Sequence, residues 1–243
     1  MNFIQFGNKH IAYEIIRGNR KKTVSIHVGI DAATVHAPKR ITEGNIRMIM
    51  QKKAQWIIDR QERIKREGQL HPPKEFVSGE SFLYLGRQYR LKVLRSANGC
   101  KNTCHLMNGR LQVEINNNFH GEETKAIVEK TLVNWYKKHA ENKIKDRLPH
   151  LALKLGKWPT LVQIKDQKRR WGSCSQTGVI RFNWKIIMTP VSVLDYLIVH
   201  ELCHLFRPDH SAAFWEKVQT IIPDYRKKRD WLKDHTFIIN NLT

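Results

Sequence analysis

Cysteine is scarce in this chain: 243 residues hold four, Cys100, Cys104, Cys174 and Cys203. That is too few for a disulfide framework, and reduced thiols are expected. Acidic residues are also few, 22 Asp and Glu against 43 Lys and Arg, which leaves a formal net charge of +21. A surface this basic favours anionic company. No apolar run approaches the roughly 20 residues that a membrane-spanning helix requires. The first residues, Met1 to Tyr13, lack a basic n-region, a continuous apolar h-region and a small-residue cleavage site. No secretory signal is read there, and a cytoplasmic address is the expectation. What is present is a 41% hydrophobic share with seven Trp, enough for one sizeable core or two smaller ones, which excludes disorder for the bulk of the chain.

Along the chain the hydrophobic period changes. Thr23 to Val28 and Ala33 to His36 alternate as half-buried strands, and a small antiparallel sheet is expected. Thr42 is placed to cap a helix carrying Ile46, Ile49, Met50, Ile57 and Ile58 and running to about Arg66, before Gly68 and Pro72-Pro73. From Phe76 to about Ile115 the period returns to two, with Asn108-Gly109 as a tight hairpin turn. A long amphipathic helix follows Gly121 and is expected to end before Pro149. The last third reads strand (Leu161 to Ile164), basic turn, strand (Val179 to Trp184), a helix from Thr189, then two short helices from about Ser211 and Tyr225. The fold class is therefore α+β, with a β-rich portion at 1–120 and a helical, chemistry-bearing portion at 121–243. The boundary cues are the Pro72-Pro73 turn and the polar Asn116-Asn117-Asn118 stretch, and no repeat is visible.

The chemistry concentrates on the helix from Thr189. It carries His200-Glu201-Leu202-Cys203-His204, an H-E-x-x-H motif whose i, i+4 spacing puts both imidazoles on one face, able to converge on one ion. Glu201 then stands to take a proton from a water whose pKa a zinc ion lowers toward about 7. Chance alone would place this motif in about three of a hundred such chains. A helix without metal would have to bury two His and a Glu beside an apolar face with nothing to compensate their desolvation. Pro208 forces Arg207 out of the helical region, so the chain must turn. His210 follows six residues after His204 and is the favoured third ligand; Glu216, on the next helix, is the other candidate. Cys100 and Cys104 with His105 form a C-x3-C pair that misses the usual knuckle spacing, and they read as a polar loop between strands.

Several segments together resemble the YgjP-like metallopeptidase family, related to SprT-like zincins. They are Arg169-Arg170-Trp171-Gly172-Ser173-Cys174, Gly178 to Trp184, His200 to His204, His210-Ser211 with Phe214-Trp215, and Pro223-Asp224-Tyr225. The resemblance covers nearly the whole chain and is looser in the basic N-terminal half, in the Ala37-Pro38 turn, Trp56, Ser78-Gly79-Glu80 and Leu85-Gly86-Arg87. It implies a zincin-type catalytic domain with His200, His204 and His210 on a zinc ion (Zn2+) and Glu201 as base. It does not extend to metzincins, because Arg207 stands where those enzymes carry Gly and no Met follows Met188.

Cations crowd the same stretch: Lys165, Lys168, Arg169, Arg170, Arg181, Lys185, Arg207, Arg226, Lys227, Lys228 and Arg229. Most are expected to be solvated, yet together they should draw anionic substrates. Arg170, Trp171 and Ser173 are the candidate substrate contacts, and Tyr225 a candidate donor to a developing oxyanion. The favoured activity is zinc-dependent hydrolysis of the metallopeptidase type. Alternatives are hydrolysis of a nucleoside triphosphate at the same site, argued against by the absence of a G-x4-G-K-[ST] loop, and a DNA-associated protease or nucleic-acid-binding protein. A site of three histidines accepts other divalent metals besides zinc.

Overall fold

The structure is a computed structural model that describes residues 1–19, 23–70, 72–96, 101–167 and 170–240. The chain divides into two compact units, Met1–Pro72 and Pro73–Thr243. Of the two boundary cues in the sequence, Pro72-Pro73 coincides with this division, and the Asn116 to Asn118 stretch lies inside the second unit. No described helix is long and apolar enough to cross a membrane.

The first unit opens with four strands, β1 (Asn2–Phe6), β2 (Lys9–Gly18), β3 (Ser25–Val28) and β4 (Ala32–Pro38), in the order β1-β2-β4-β3. β2 and β4 run parallel, so the sheet is mixed and not antiparallel as the short alternating runs suggested. Two hairpins are laid side by side through their second strands. Helices α1 (Glu43–Lys52) and α2 (Ala54–Leu70) follow, with Thr42 Oγ1 accepting from the Asn45 N–H at 3.3 Å as a cap. The expected single helix is thus interrupted at Lys53, and Gly68 does not end it. Ile4, Ile11, Val35, Ile46, Met50 and Ile57 make this unit's own core.

The second unit repeats the strand order. β5 (Ser81–Tyr84), β6 (Arg87–Ser96), β7 (Thr103–Met107) and β8 (Arg110–Asn116) lie in the order β5-β6-β8-β7, again with a parallel central pair. Asn108 and Gly109 both adopt positive φ in the β7–β8 turn, as the sequence predicts. Cys104 is in β7 and buried, where desolvation pushes its thiol up to about 12, so it is an inert strand residue and not a loop ligand; Cys100 lies outside the described residues.

Helix α3 (Gly121–Leu155) runs through Pro149, contrary to expectation, and stops only at Gly156 in the left-handed conformation. Pro149 is exposed while Leu148, Leu151 and Ala152 are buried. Packing of the flanking residues carries the helix past the hydrogen bond that the proline cannot make. A second sheet follows, β9 (Leu161–Lys165), β10 (Gly172–Cys174) and β11 (Val179–Asn183), ordered β10-β11-β9 with β10 at an edge. Then come a 3₁₀ turn (Trp184–Met188) and helices α4 (Val191–Cys203), α5 (Ala212–Ile221) and α6 (Tyr225–Asn240). Residues from all these elements share one core, including Phe82, Leu111, Leu132, Phe182, Trp184 and Leu202.

Two devices fix α4. The Leu85 and Gly86 N–H groups of the β5–β6 turn donate to Ile187 and Met188 carbonyls at 2.8 and 3.0 Å, just ahead of the helix. Gly86 has φ +78°, and any Cβ there would meet Pro190 at 2.8 Å, so only glycine fits the clasp. Thr189 does not cap α4 as its position suggested; its hydroxyl donates back to the Ile186 carbonyl at 2.8 Å. Second, Arg147 of α3 grips Asp195 of α4 with two bonds, Nε to Oδ1 at 2.8 Å and a terminal nitrogen to Oδ2 at 2.6 Å. Arg147→Ala should lower unfolding stability by about 1–3 kcal/mol, because it strips a paired carboxylate in a half-buried place. Arg147→Lys should recover only part, since Lys lacks the planar fork. A denaturant midpoint unchanged in Arg147→Ala would exclude this role.

Candidate active site

Helix α4 is buried along most of its length and brings His200 and Glu201 to its C-terminal turn, with His204 as the capping residue. The helix ends before Pro208 exerts its effect. Leu205, Phe206 and Arg207 close tight turns onto Leu202 and Cys203, and the chain swings back so that His210 faces His200. Ligand atoms of His200, His204 and His210 all lie within 4.8 Å of one another, and they form the cluster of metal-ligating side chains found among the described residues. Glu216 is exposed on α5 and outside that cluster.

The local chemistry suits a cation. The Nε2 atoms of His200 and His210 stand 3.1 Å apart. Two nitrogens each about 2.0–2.1 Å from a tetrahedral zinc would be about 3.3 Å apart, so the present spacing is close to that of ligands. The His204 Nδ1 lies 3.0 Å from the Arg207 carbonyl, to which it donates, leaving Nε2 with its lone pair free for a metal. Burial, and the neighbouring histidines after it, lower His200 to about 3, and burial lowers His204 as well. Both shifts favour the neutral ring, the form that ligates. His200 Nδ1 and Glu201 Oε2 are buried without a hydrogen-bond partner among the described residues.

Glu201 is 3% exposed. Burial pushes its carboxyl up to about 8, against the pull of the Arg170 guanidinium. The carboxylate lies against the backbone of β10: a methyl group on Gly172 would stand 2.5 Å from Oε1, 2.8 Å from Cδ and 2.9 Å from Cγ. A cavity of about 340 Å3 opens over these groups, walled by exposed Arg170, half-buried Ser173, Cys174 and Pro208. A larger cleft, about 850 Å3, lies elsewhere, between β7 and α3, and contains none of this chemistry.

The structure therefore brings Arg170 and Ser173 to the histidine cavity. Trp171 faces a neighbouring one, its indole N–H donating to Thr236 Oγ1 at 3.3 Å. Tyr225 is 5% exposed and stacks on Trp215 with ring centroids 5.1 Å apart; it walls neither cavity. Of the cations, Lys165, Arg170, Arg207, Arg226, Lys227 and Arg229 are exposed and Arg181 and Lys228 half-buried. Lys185 is buried over the Trp184 ring, with its pKa lowered by desolvation, and adds nothing to an exposed rim. Lys168 and Arg169 lie outside the described residues.

The profile of the YgjP-like metallopeptidase domain matches residues 22–235. The chain belongs to the YgjP-like metallopeptidase family. Membership makes this YgjP-like chain a metal-dependent hydrolase of the peptidase class. Among solved structures it is similar to the metallopeptidase zymogen abylysin of Pyrococcus abyssi, at 24% identity over 41% of this chain and 99% of that one, TM-score 0.36. It is also similar to the metallopeptidase zymogen jannalysin of Methanocaldococcus jannaschii, at 22% identity over 36% of this chain and 94% of that one, TM-score 0.31. No curated protein matches.

Three residues of the YgjP-like site carried no role in the sequence reading. Phe214, fully buried, stacks on His204 at 4.6 Å and meets His200 edge-on at 5.0 Å. Trp215 stacks on His210 at 5.6 Å. The signal for both was present in the aromatic pair four and five residues after His210. Gly172 stands in a run that carries the family resemblance, but its partner Glu201 is distant in sequence and nothing local gives the glycine a role.

Proposed function

We propose that the chain is a zinc-dependent peptidase in which Glu201 is the general base and His200, His204 and His210 hold the ion. The convergence of three imidazoles beside a buried carboxylate carries this reading. The ion, when bound, would supply Lewis acidity, polarising the scissile carbonyl and acidifying a water. Glu201 takes the proton of that water and returns it to the leaving amine nitrogen. Gly172, lacking a side chain, leaves the room against β10 that the carboxylate occupies. β10 is an edge strand paired only with β11 among the described strands, so its free side offers backbone groups to an extended peptide lying along the cavity. Arg170 and Ser173 are positioned to contact that peptide.

The test is hydrolysis of an unfolded protein by zinc-loaded chain, read as new α-amino groups, beside phosphate release from a panel of nucleoside triphosphates. New amines that disappear on chelation are expected. Phosphate release without amines would replace the peptidase reading with the phosphohydrolase one, for which the Arg170 charge beside Glu201 is the supporting observation.

Zinc should also stabilise the fold. At a free concentration a hundredfold above its Kd, an ion binding only the native state adds about 2.7 kcal/mol, which in a chain of this size raises Tm by about 5–10 °C. His210→Ala should lose most of the rise. Equal melting curves with and without zinc in differential scanning calorimetry would remove the three-histidine site.

A further inference from the structure

A second cavity, of about 390 Å3, adjoins the first. Gly172, His200 and Glu201 line both, and every other wall residue differs. Because Gly172 has no side chain, nothing on β10 at that position separates the two spaces beside the Glu201 carboxylate. The inner walls are apolar: Tyr196 and Leu197 from α4 and Leu232 from α6 are buried, and Trp171 is half-buried. The outer wall is one face of α6, where Arg229 and Lys233 stand four residues apart and both are exposed. Arg229 spreads over the Trp215 ring at 5.5 Å and lies 3.6 Å from Asp230 Oδ1, a partner outside the cavity wall. Among the described residues the only carboxylate in the wall is Glu201, to which the proposed reaction assigns the base role.

A space of this form accepts a group with an apolar stem and an anionic tip: the stem against Leu197, Leu232 and Trp171, the tip between Arg229 and Lys233. We propose that this cavity is a carboxylate-selecting subsite that seats the substrate residue next to the scissile bond, preferring glutamate. The assignment rests on the peptidase reading for its place in catalysis, while its ligand chemistry stands on the cavity alone. Two sources supply that chemistry, an acidic side chain or the carboxyl terminus of a peptide, and the side chain is the reading preferred here, because the cavity continues past Glu201 from an edge strand that an extended chain would follow.

The experiment uses the full-length chain, zinc-loaded and carrying Glu201→Gln in every arm so that no peptide is consumed. The readout is the Trp171 indole N–H resonance, assigned with Trp171→Phe. Four pentapeptides are titrated: terminally blocked with a central Glu, Gln or Lys, and the Gln peptide with a free carboxyl terminus. The blocked Glu peptide should shift the resonance with a Kd at least tenfold below that of the blocked Gln peptide. Arg229→Glu combined with Lys233→Glu, both exposed changes, should transfer the preference to the Lys peptide. Tight binding of the free-terminus peptide in place of the Glu peptide would overturn the side-chain assignment and give the subsite to a chain end. Equal affinity for blocked Glu and Gln peptides, or a preference unmoved by the charge reversal, would overturn the subsite altogether. Since no turnover is measured, a peptidase reading that fails for lack of hydrolysis is told apart from a subsite that fails for lack of selection.

Discussion

Glu201→Gln should slow peptide hydrolysis by about 10²–10⁴-fold while leaving zinc stoichiometry unchanged. The substitution is nearly isosteric, and its side chain would occupy the same place against Gly172 in the 3%-exposed site. What is lost is the ability to accept a proton. The carboxylate is not among the three converging ligands, so the ion should remain. Burial raises the proton affinity of the carboxyl, and a bound cation beside it would act in the opposite direction, favouring the ionised form that can accept a proton. The check is kcat beside metal content for wild type and variant prepared together. A variant retaining a tenth of the rate or more would take proton transfer away from Glu201.

Gly172→Ala comes next in size. Its new methyl would stand 2.5 Å from Oε1, and the contact can be relieved only by moving the Glu201 carboxylate or the edge strand itself. A displacement of about 1 Å at a reacting group costs about 10²-fold in rate. The loss should appear in kcat, with zinc content intact, because the histidines are not touched. Since both changes act through one carboxylate, Gly172→Ala on top of Glu201→Gln should add little. A rate within twofold of wild type would show that the close approach does not hold the base.

The part of the site legible in the sequence is the part that is local. His200, Glu201 and His204 lie within one helical turn, so spacing alone puts two rings on one face, and the six-residue interval after His204 is what favours His210 over Glu216. Asn108-Gly109 and Thr42 were equally legible, because a turn and a cap are written in two to four adjacent residues. The misreadings are tertiary. Pro149 sits inside α3 because Leu148, Leu151 and Ala152 pack well enough to override a local breaker. Thr189 is spent on the preceding 3₁₀ turn because α4 starts one residue later than the sequence suggests, with Pro190 in the capping position. The parallel pairings β2–β4 and β6–β8 join strands of different hairpins, with another strand between them in sequence, which alternation cannot reveal. Gly172 is invisible for the same reason: what makes it glycine is a side chain on another element.

Trp215 stacks both on His210, with ring centroids 5.6 Å apart at 27°, and on Tyr225, at 5.1 Å and 14°. An indole in contact with an imidazole has its emission quenched most strongly when that imidazole is protonated, and the quenching changes again when a ring nitrogen takes a metal. The chain thus carries a built-in dye at its third histidine. Light emitted by Trp215, isolated by subtracting the signal of a Trp215→Phe variant, would follow the occupancy of His210 in real time without any added label.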